Sequence, residues 1–198
     1  MVMVAAMLWP ARAHTAALAL MLMMPLAPTG SAAAPKSEAK SPAKPAQQKE
    51  GVTRLGGAQG WDAYSDIEKG HKICYLVGEP SKSEPANAKR NKVYASVTHR
   101  PAEKISNEVS FNAGYLFKDG SDAELMVDSR KFTLFTNKDA AWARDPATDK
   151  AVVEALAKGK QAVLKGVSAR GTETTDTYSL AGLGQALAQI DRACGVKH

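Results

Sequence analysis

The residue types from which proteins most often build metal centres are scarce in this sequence. Its 198 residues include two cysteines and four histidines. His71 and His99 each lack a second histidine within four residues, and His198 is the last residue. Because a metal site needs several ligands at short, regular spacing, the sequence predicts neither a metal site nor a cofactor.

The sequence motifs of two common catalytic sites are also missing. A phosphate-binding loop places its glycines at the start of a helix, whereas the glycines of residues 55–60 precede a strand. A nucleophilic serine favours a G-x-S-x-G turn from strand to helix. The run around Ser168 ends in arginine and leads into a hairpin. Ser168 is therefore predicted to be a strand residue.

One pair of carboxylates lies close together, Glu173 and Asp176, within a threonine-rich turn and strand. An aspartate among threonines typically takes part in local hydrogen bonds with the backbone. This favours a structural role for Asp176 over acid–base catalysis. Together these absences predict a protein that is not an enzyme. The alternative is a hydrolase assembled from distant residues, with His71 or His99 beside a serine or aspartate.

The apolar run Ala16–Leu26 is too short to cross a membrane. It spans about ten residues, against the ~20 that a membrane-spanning helix needs, and the small residues Gly30–Ala34 follow it. This order is typical of a secretory signal peptide with its cleavage site. We therefore predict a signal peptide over residues 1–34 and a periplasmic or secreted protein. A retained leader is the alternative, because the residues before Arg12 are apolar rather than basic.

Alanine, proline and lysine dominate the segment that follows the leader. Residues 35–51 form no apolar face, so they cannot bury enough surface to offset the entropy lost on ordering. We predict a disordered tether over residues 35–60 and a folded domain over residues 61–198. Of the net charge of +6, the leader carries one arginine and the tether four lysines against two glutamates. The charge left for the domain is too balanced for a nucleic-acid-binding protein.

The two cysteines, Cys74 and Cys194, predict one disulfide. In an exported chain an isolated pair of cysteines normally forms a bond. This bond would join an early strand of the domain to the last turn of its final helix. Closing a loop of about 120 residues would restrict the unfolded chain by roughly 4–5 kcal/mol. Two free buried thiols are the alternative.

Short runs of alternating polarity, separated by turn residues, dominate residues 60–145. In Val93–Arg100, Val93, Ala95 and Val97 fall on one face and polar or aromatic residues on the other. The predicted strands cover residues 73–77, 93–100, 109–113, 124–127, 132–136, 162–169 and 174–180. Their number and spacing predict a mainly β fold, either a β-sandwich or a twisted barrel-like antiparallel sheet, with helices packed on it.

Two short helices are predicted among the strands. The first covers residues 149–158, where Thr148 or Asp149 can cap the N-terminus and Gly159 follows the C-terminus. The second covers residues 183–194, and its apolar residues fall on one face. The second cysteine lies on that face, so the disulfide would hold this helix against the sheet.

The C-terminal third carries a recognisable signature. The segment KGVSARGTETTDTYSLAGLGQALAQIDRAC spans residues 165–194, and the runs ICYL, VTHRP, GYLFKDGS, FTLFT and AAW precede it in order. This pattern resembles that of the invasion-associated locus B family of exported proteobacterial proteins, over about residues 61–194. The resemblance implies an exported, β-rich, disulfide-closed protein, linked in some pathogens to host-cell invasion. It implies no catalytic residues.

These observations predict a non-enzymatic envelope protein that binds a partner, linked to host-cell invasion or to envelope integrity. The partner would be an envelope protein, a host-surface protein or an anionic polymer, and not a specific nucleic acid. A basic excess between residues 82 and 104 favours contact with an acidic surface, and a solvated loop is the alternative. The candidate contacts are Lys165, Arg170 and Tyr178 around the C-terminal hairpin, and Lys89, Arg90 and Lys92 in the basic stretch. A structural envelope role without a discrete ligand is the second hypothesis.

Overall fold

The computed structural model describes residues 51–197. The predicted signal peptide and residues 35–50 of the predicted tether lie outside the described residues.

The strands are β1 Thr53–Ala58, β2 Trp61–Glu68, β3 His71–Gly78, β4 Lys82–Glu84, β5 Tyr94–Arg100, β6 Ile105–Asn112, β7 Asp122–Val127, β8 Arg130–Asn137, β9 Ala140–Trp142, β10 Gln161–Val167 and β11 Glu173–Ser179. The α-helices are α1 Pro146–Lys158 and α2 Leu183–Cys194. Within the described residues, neither is long and apolar enough to cross a membrane.

All the strands join one antiparallel sheet in the order β1-β2-β3-β5-β6-β9-β8-β7-β10-β11-β4. Tight turns set the register of its first strands. Gln59 and Gly60 join β1 to β2, and Lys69 and Gly70 join β2 to β3, with φ between 49° and 90° at all four residues. Two-residue turns of positive φ match the right-handed twist of paired strands. The predicted mainly β fold with two helices is confirmed.

The N-terminal edge of the sheet differs from the prediction. Strand β1 falls inside residues 35–60, the segment predicted to be a disordered tether, and pairs with β2. The run LGGA lacks the alternation of polarity by which strands were identified. The first of its two glycines, Gly56, instead makes room for a neighbouring side chain. A Cβ at this position would lie 2.6 Å from the Gln189 side chain of α2.

Alternation along the strands divides the sheet into an inner and an outer face. In β3, Cys74 and Leu76 are buried, whereas the residues that alternate with them, Ile73, Tyr75 and Val77, are half-buried on the outer side. The buried hydrophobic residues of the strands lie on the inner face and form the core. There the ring of Tyr178 on β11 packs against Trp61 on β2. The Trp61 indole Nε1 also donates to the Ser179 carbonyl oxygen at 2.8 Å. Strands near opposite ends of the sheet therefore meet, as the predicted sandwich or barrel-like arrangement requires.

Helix α2 packs across the inner face of β1, β2, β3 and β5. Its bounds are those predicted, and Gly195 caps its C-terminus with a φ of 69°, which suits a residue without a Cβ. The predicted disulfide joins Cys194 to Cys74 with a Cα–Cα distance of 6.0 Å. The Lys72 ammonium donates to the Ala193 carbonyl oxygen at 2.7 Å. The last turn of α2 is thus attached to β3 twice.

Helix α1 begins three residues earlier than predicted. Its N-cap is Asp145, which accepts a hydrogen bond from the Thr148 amide, and Pro146 occupies the first turn, as is usual there. Asp149 lies inside the helix and accepts the Val109 amide at 2.8 Å, which ties α1 to β6. Gly159 follows the helix as predicted. Its backbone is extended, and a Cβ there would lie 2.8 Å from Val127.

The first prediction concerns the disulfide. Replacing both cysteines (Cys74→Ala with Cys194→Ala) should lower the free energy of unfolding by about 4 kcal/mol, because the unfolded chain regains the entropy of a loop of 120 residues. Urea denaturation of the oxidised protein and of the variant measures this difference. Reducing agent should weaken the wild type and leave the variant unchanged. A variant as stable as the oxidised wild type would contradict the prediction.

The second prediction concerns Asp149. Burial is the main cause that raises the pKa of its carboxyl group to about 6, and the nearby negative charges of Glu108 and Asp145 add to the effect. The folded state then keeps a proton that the unfolded state has lost, so this group lowers stability as pH rises from about 4 to 6. Asp149→Asn keeps the oxygen that accepts the Val109 amide. It should remove this loss and stabilise the protein at pH 7 by about 1 kcal/mol, allowing for partial exposure.

The measurement is the difference in unfolding free energy between variant and wild type at several pH values. Asp145→Asn is the matched control, because hydrogen bonds from Thr148 lower the pKa of Asp145 and asparagine caps helices equally well. This control should retain most of the loss of stability between pH 4 and 6, because burial, and not the charge of Asp145, is the largest cause of the raised pKa of Asp149. A difference curve for Asp149→Asn that is flat across this range would refute the assignment.

Candidate functional site

An open cleft of about 660 Å³ lies where the loop after β4 meets the turn between β10 and β11. Among residues 51–197, three basic side chains and no acidic one line it. The lining residues are Pro85, Asn87, Ala88, Lys89, Arg90, Asn91, Gly114, Tyr115, Leu116, Ser168, Ala169, Arg170, Thr172 and Thr174. The cleft therefore joins two segments of sequence that were predicted separately as binding regions.

Arg90 lines the cleft and forms a buried ion pair with Asp176, which does not line it; we call this pair the floor of the cleft. The guanidinium donates to both carboxylate oxygens, at 2.8 and 2.7 Å, and the two side chains are 6% and 1% exposed. Ser83 on β4 donates to the same carboxylate at 2.6 Å. Because bidentate pairing and the extra donor satisfy the buried carboxylate, the pair fixes the loop of residues 85–91 against β11.

Tyr115 forms the wall beside this pair. Its hydroxyl group lies 2.5 Å from the Thr174 hydroxyl, and the Arg90 guanidinium lies 5.8 Å from the centroid of its ring. Burial is the largest cause that raises the pKa of Tyr115 above its ordinary value. The phenol therefore stays neutral at physiological pH and positions the wall through hydrogen bonding.

The turn between β10 and β11 presents Arg170 at the mouth of the cleft. The Ser168 carbonyl oxygen accepts the Gly171 amide at 2.8 Å, and the Ser168 hydroxyl accepts the Thr172 amide at 3.1 Å. Gly171 has a φ of 81°, which glycine adopts without strain. Ser168 is thus a turn-forming residue whose hydroxyl is engaged in the hairpin.

The cleft brings together only some of the residues predicted as partner contacts. Lys89 and Arg170 are exposed and line the same cleft. Lys165 is exposed on β10 and is not among the lining residues. Lys92 lies on another surface, where its ammonium is 3.4 Å from the Glu79 carboxylate.

Two of the predicted contacts need correction. Tyr178 is fully buried, with its ring edge-on to Phe111 at a centroid distance of 5.6 Å. Burial also raises the pKa of its hydroxyl far above the ordinary value. From this position Tyr178 cannot contact a partner, because it belongs to the core. Arg90 lines the cleft, but its charge is already neutralised by Asp176.

Sequence reasoning missed the role of Asp176. It was interpreted as a group that hydrogen-bonds to the neighbouring backbone, whereas its carboxylate binds Arg90, 86 residues away. The available signal was the alternation along β11, where Thr174, Asp176 and Tyr178 are buried and the residues between them are not. An aspartate at an inward position needs a buried partner of opposite charge.

The hydrolase alternative required a histidine beside a serine or aspartate, and His99 does lie beside Asp191. His99 is fully buried, and its Nε2 lies 2.9 Å from the Asp191 carboxylate. Its Nδ1 accepts the Asn107 amide at 3.0 Å, so the proton is on Nε2 and is donated to Asp191. Both ring nitrogens are engaged inside the core, beside the disulfide that His99 faces across the β3–β5 pair.

The other candidate histidine lies on a different surface. His71 is exposed at a small depression whose lining, among residues 51–197, includes Glu68, Lys69 and Glu103 but neither serine nor aspartate. Within residues 51–197 no group of three or more histidine, cysteine or carboxylate side chains could hold a metal ion. Of the candidate surfaces, the basic cleft is the one that brings together Lys89 and Arg170, two residues predicted as partner contacts.

The chain matches one family model in sequence and one solved structure in fold. A family model described as "Invasion associated locus B (IalB) protein" matches residues 61–191. The crystal structure of invasion associated protein b from Bartonella henselae is similar, with a TM-score of 0.52 and 16% sequence identity, over 74% of this chain and 99% of that chain. At this identity the likeness concerns the fold. No curated protein sequence matches this chain.

A third prediction tests the floor of the cleft. Asp176→Asn should lower the free energy of unfolding by about 3 kcal/mol, because it leaves the buried Arg90 guanidinium without a countercharge. Glu79→Gln is the control, since it removes a carboxylate from an exposed pair and should change stability little. Adding Arg90→Met to Asp176→Asn should restore much of the loss. Equal, small effects of Asp176→Asn and Glu79→Gln in urea denaturation would refute a buried pair.

Proposed function

This chain belongs to the invasion-associated locus B family, and from that premise we propose that it is an exported, non-enzymatic protein that binds an anionic molecule of the envelope or host surface through its basic cleft. The family is not known as a family of enzymes. Family membership together with the disulfide indicates an exported protein. The identity of the ligand and the non-enzymatic role are the proposed steps beyond this.

Export to the periplasm or the exterior is supported by two independent features. A structural disulfide forms and persists in oxidising compartments such as these. The N-terminal residues 1–34 carry the short apolar run and small residues of a cleavable signal peptide. The tether of residues 35–50 would then separate the export machinery or membrane from the folded domain. A contribution to host-cell invasion rests on the family description and on no particular residue.

The positive charge of the cleft supports the proposal that its ligand is an anion. The lining contains no carboxylate, and the Arg90–Asp176 pair at the floor is neutral as a unit. Lys89 and Arg170 form no ion pair within residues 51–197. Two uncompensated cations around a concave surface raise the local concentration of anions. The cleft is therefore suited to a phosphate, sulfate or carboxylate group.

The polar lining supplies further groups for such an anion. The side chains of Asn87, Asn91 and Thr172 border the cleft and can donate hydrogen bonds to oxyanions. The volume of about 660 Å³ lies within the range of small-molecule sites. Because the cleft is open, its ligand can continue beyond it. This favours an anionic group on a polymer over a compact, fully enclosed molecule.

The fourth prediction tests the cleft with heparin and with dextran sulfate as probes. The variant Lys89→Ala/Arg170→Ala should bind both about tenfold more weakly, because it removes the two free cations at the mouth. Lys92→Ala/Lys165→Ala is the matched control: it removes the same charge from exposed positions outside the cleft and should cost less than about twofold. Binding is measured by titration at several salt concentrations.

The outcomes separate the hypotheses. Equal losses in the two double variants would mean that the overall charge attracts the polyanion, and would refute the cleft. Wild-type protein that fails to bind either polyanion would favour the second hypothesis, a structural envelope protein without a discrete ligand. A deletion strain that is sensitive to detergent would then be the expected phenotype.

A further inference from the structure

A second depression, of about 750 Å³, lies on the outer face of β2, β3 and β5, away from the residues of the basic cleft. Its central part is aromatic and aliphatic, and its margin is polar. The lining residues are Gly60, Asp62, Tyr64, Ile73, Tyr75, Val77, Gly78, Glu79, Lys92, Tyr94, Ser96, Thr98 and Arg100. We call this surface the tyrosine groove.

Two stacked tyrosines form the centre of the tyrosine groove. Tyr64 on β2 and Tyr75 on β3 face each other in register, with ring centroids 5.4 Å apart and planes inclined by 22°. Both are half-buried, as are Ile73 and Val77 beside them. Tyr94 on β5 lines the same face. Side chains held by stacking on paired strands lose little further entropy when a ligand packs against them.

The charges at the margin of the tyrosine groove are paired with opposite charges. Asp62 binds Arg54 at 2.5 Å, and Glu79 lies 3.4 Å from Lys92. The Arg100 guanidinium contacts Glu68 at 3.0 Å and Glu108 at 3.5 Å. The margin therefore presents donors and acceptors without a strong net charge. This differs from the basic cleft, where the cations at the mouth are uncompensated.

We propose that the tyrosine groove binds a neutral oligosaccharide chain. A pyranose ring presents C–H groups on its faces, which pack against the electron-rich face of an aromatic ring. Its hydroxyl groups lie around the edge and act as both donors and acceptors. Aromatic rings at the centre and paired charges at the margin match this arrangement. A charged polymer would gain little from a margin whose charges already cancel.

The dimensions of the tyrosine groove agree with a short stretch of sugar. Neighbouring strands lie about 4.8 Å apart, so β2, β3 and β5 span roughly 10 Å, which accommodates about two sugar rings. An extended peptide that adds to a sheet uses the free backbone groups of an edge strand. Strands β2, β3 and β5 are all paired on both sides. Peptide recognition by strand addition is thereby disfavoured at this face.

This inference is independent of the basic cleft and is tested with the full-length protein. The probes are cellohexaose, chitohexaose and maltohexaose. Each is titrated by calorimetry at low salt and at about 0.5 M salt, where the Debye length is roughly 4 Å. At least one should bind with an affinity that salt leaves unchanged. Tyr75→Leu should weaken that binding about tenfold, because it retains apolar volume and removes the aromatic face. Phe135→Leu, a half-buried aromatic on β8 outside the groove, is the control and should have no effect.

Several results would overturn the proposal. One is a wild-type protein that binds none of the three sugars, and another is equal binding by wild type and Tyr75→Leu. A third is tyrosine-dependent binding of a synthetic peptide of residues 35–50, whose prolines Pro35, Pro42 and Pro45 could instead dock on aromatic rings. If Tyr75→Leu fails to fold, Tyr94→Leu replaces it and carries the same expectation. Unchanged heparin binding by these variants verifies that their fold is intact.

Discussion

The attachment of helix α2 to the inner face of the sheet is the constraint on which the rest of this structure depends. The Cys74–Cys194 disulfide anchors its last turn to β3, and the His99–Asp191 hydrogen bond anchors the preceding turn to β5. The Lys72 ammonium caps the Ala193 carbonyl at the same end. Because β11 leads directly into α2, fixing the helix also fixes the strand that carries the floor of the basic cleft. A covalent bond between two residues that do not line the cleft thus contributes to its geometry.

The buried ion pair explains how two distant segments form one site. Removing Arg90 and Asp176 from water is costly, and the cost is offset only because the carboxylate receives two guanidinium bonds and one from Ser83. Such a pair contributes more to the positions of the segments it joins than to the net stability of the fold. It holds the loop after β4 against the β10–β11 hairpin, so that Lys89 and Arg170 border one concave surface. The shape of the basic cleft therefore depends on the buried ion pair between Arg90 and Asp176.

The parts of the fold that could be predicted from sequence are those that local periodicity specifies. The apolar face of α2 and the alternation in β3 and β5 gave elements at or near their observed bounds, and the family pattern agreed with them. The start of α1 was missed, although Pro146 after Asp145 is a common helix N-terminus. Strand β1 was missed because its glycines hide any alternation. The Arg90–Asp176 pair could not be predicted, since no local pattern specifies which distant charge a buried aspartate will meet.

Neighbouring basic residues in the sequence have different physical roles, and pairing decides which role each one has. Lys89, Arg90 and Lys92 lie within four positions of one another. Arg90 is neutralised in the floor of the cleft, and Lys92 is matched by Glu79 at the margin of the tyrosine groove. Lys89 forms no ion pair with any of residues 51–197. A count of basic residues would assign all three to one contact surface. Because only an unmatched charge attracts a distant ion strongly, the same stretch of chain supplies an anion-attracting mouth on one side and a nearly neutral margin on the other.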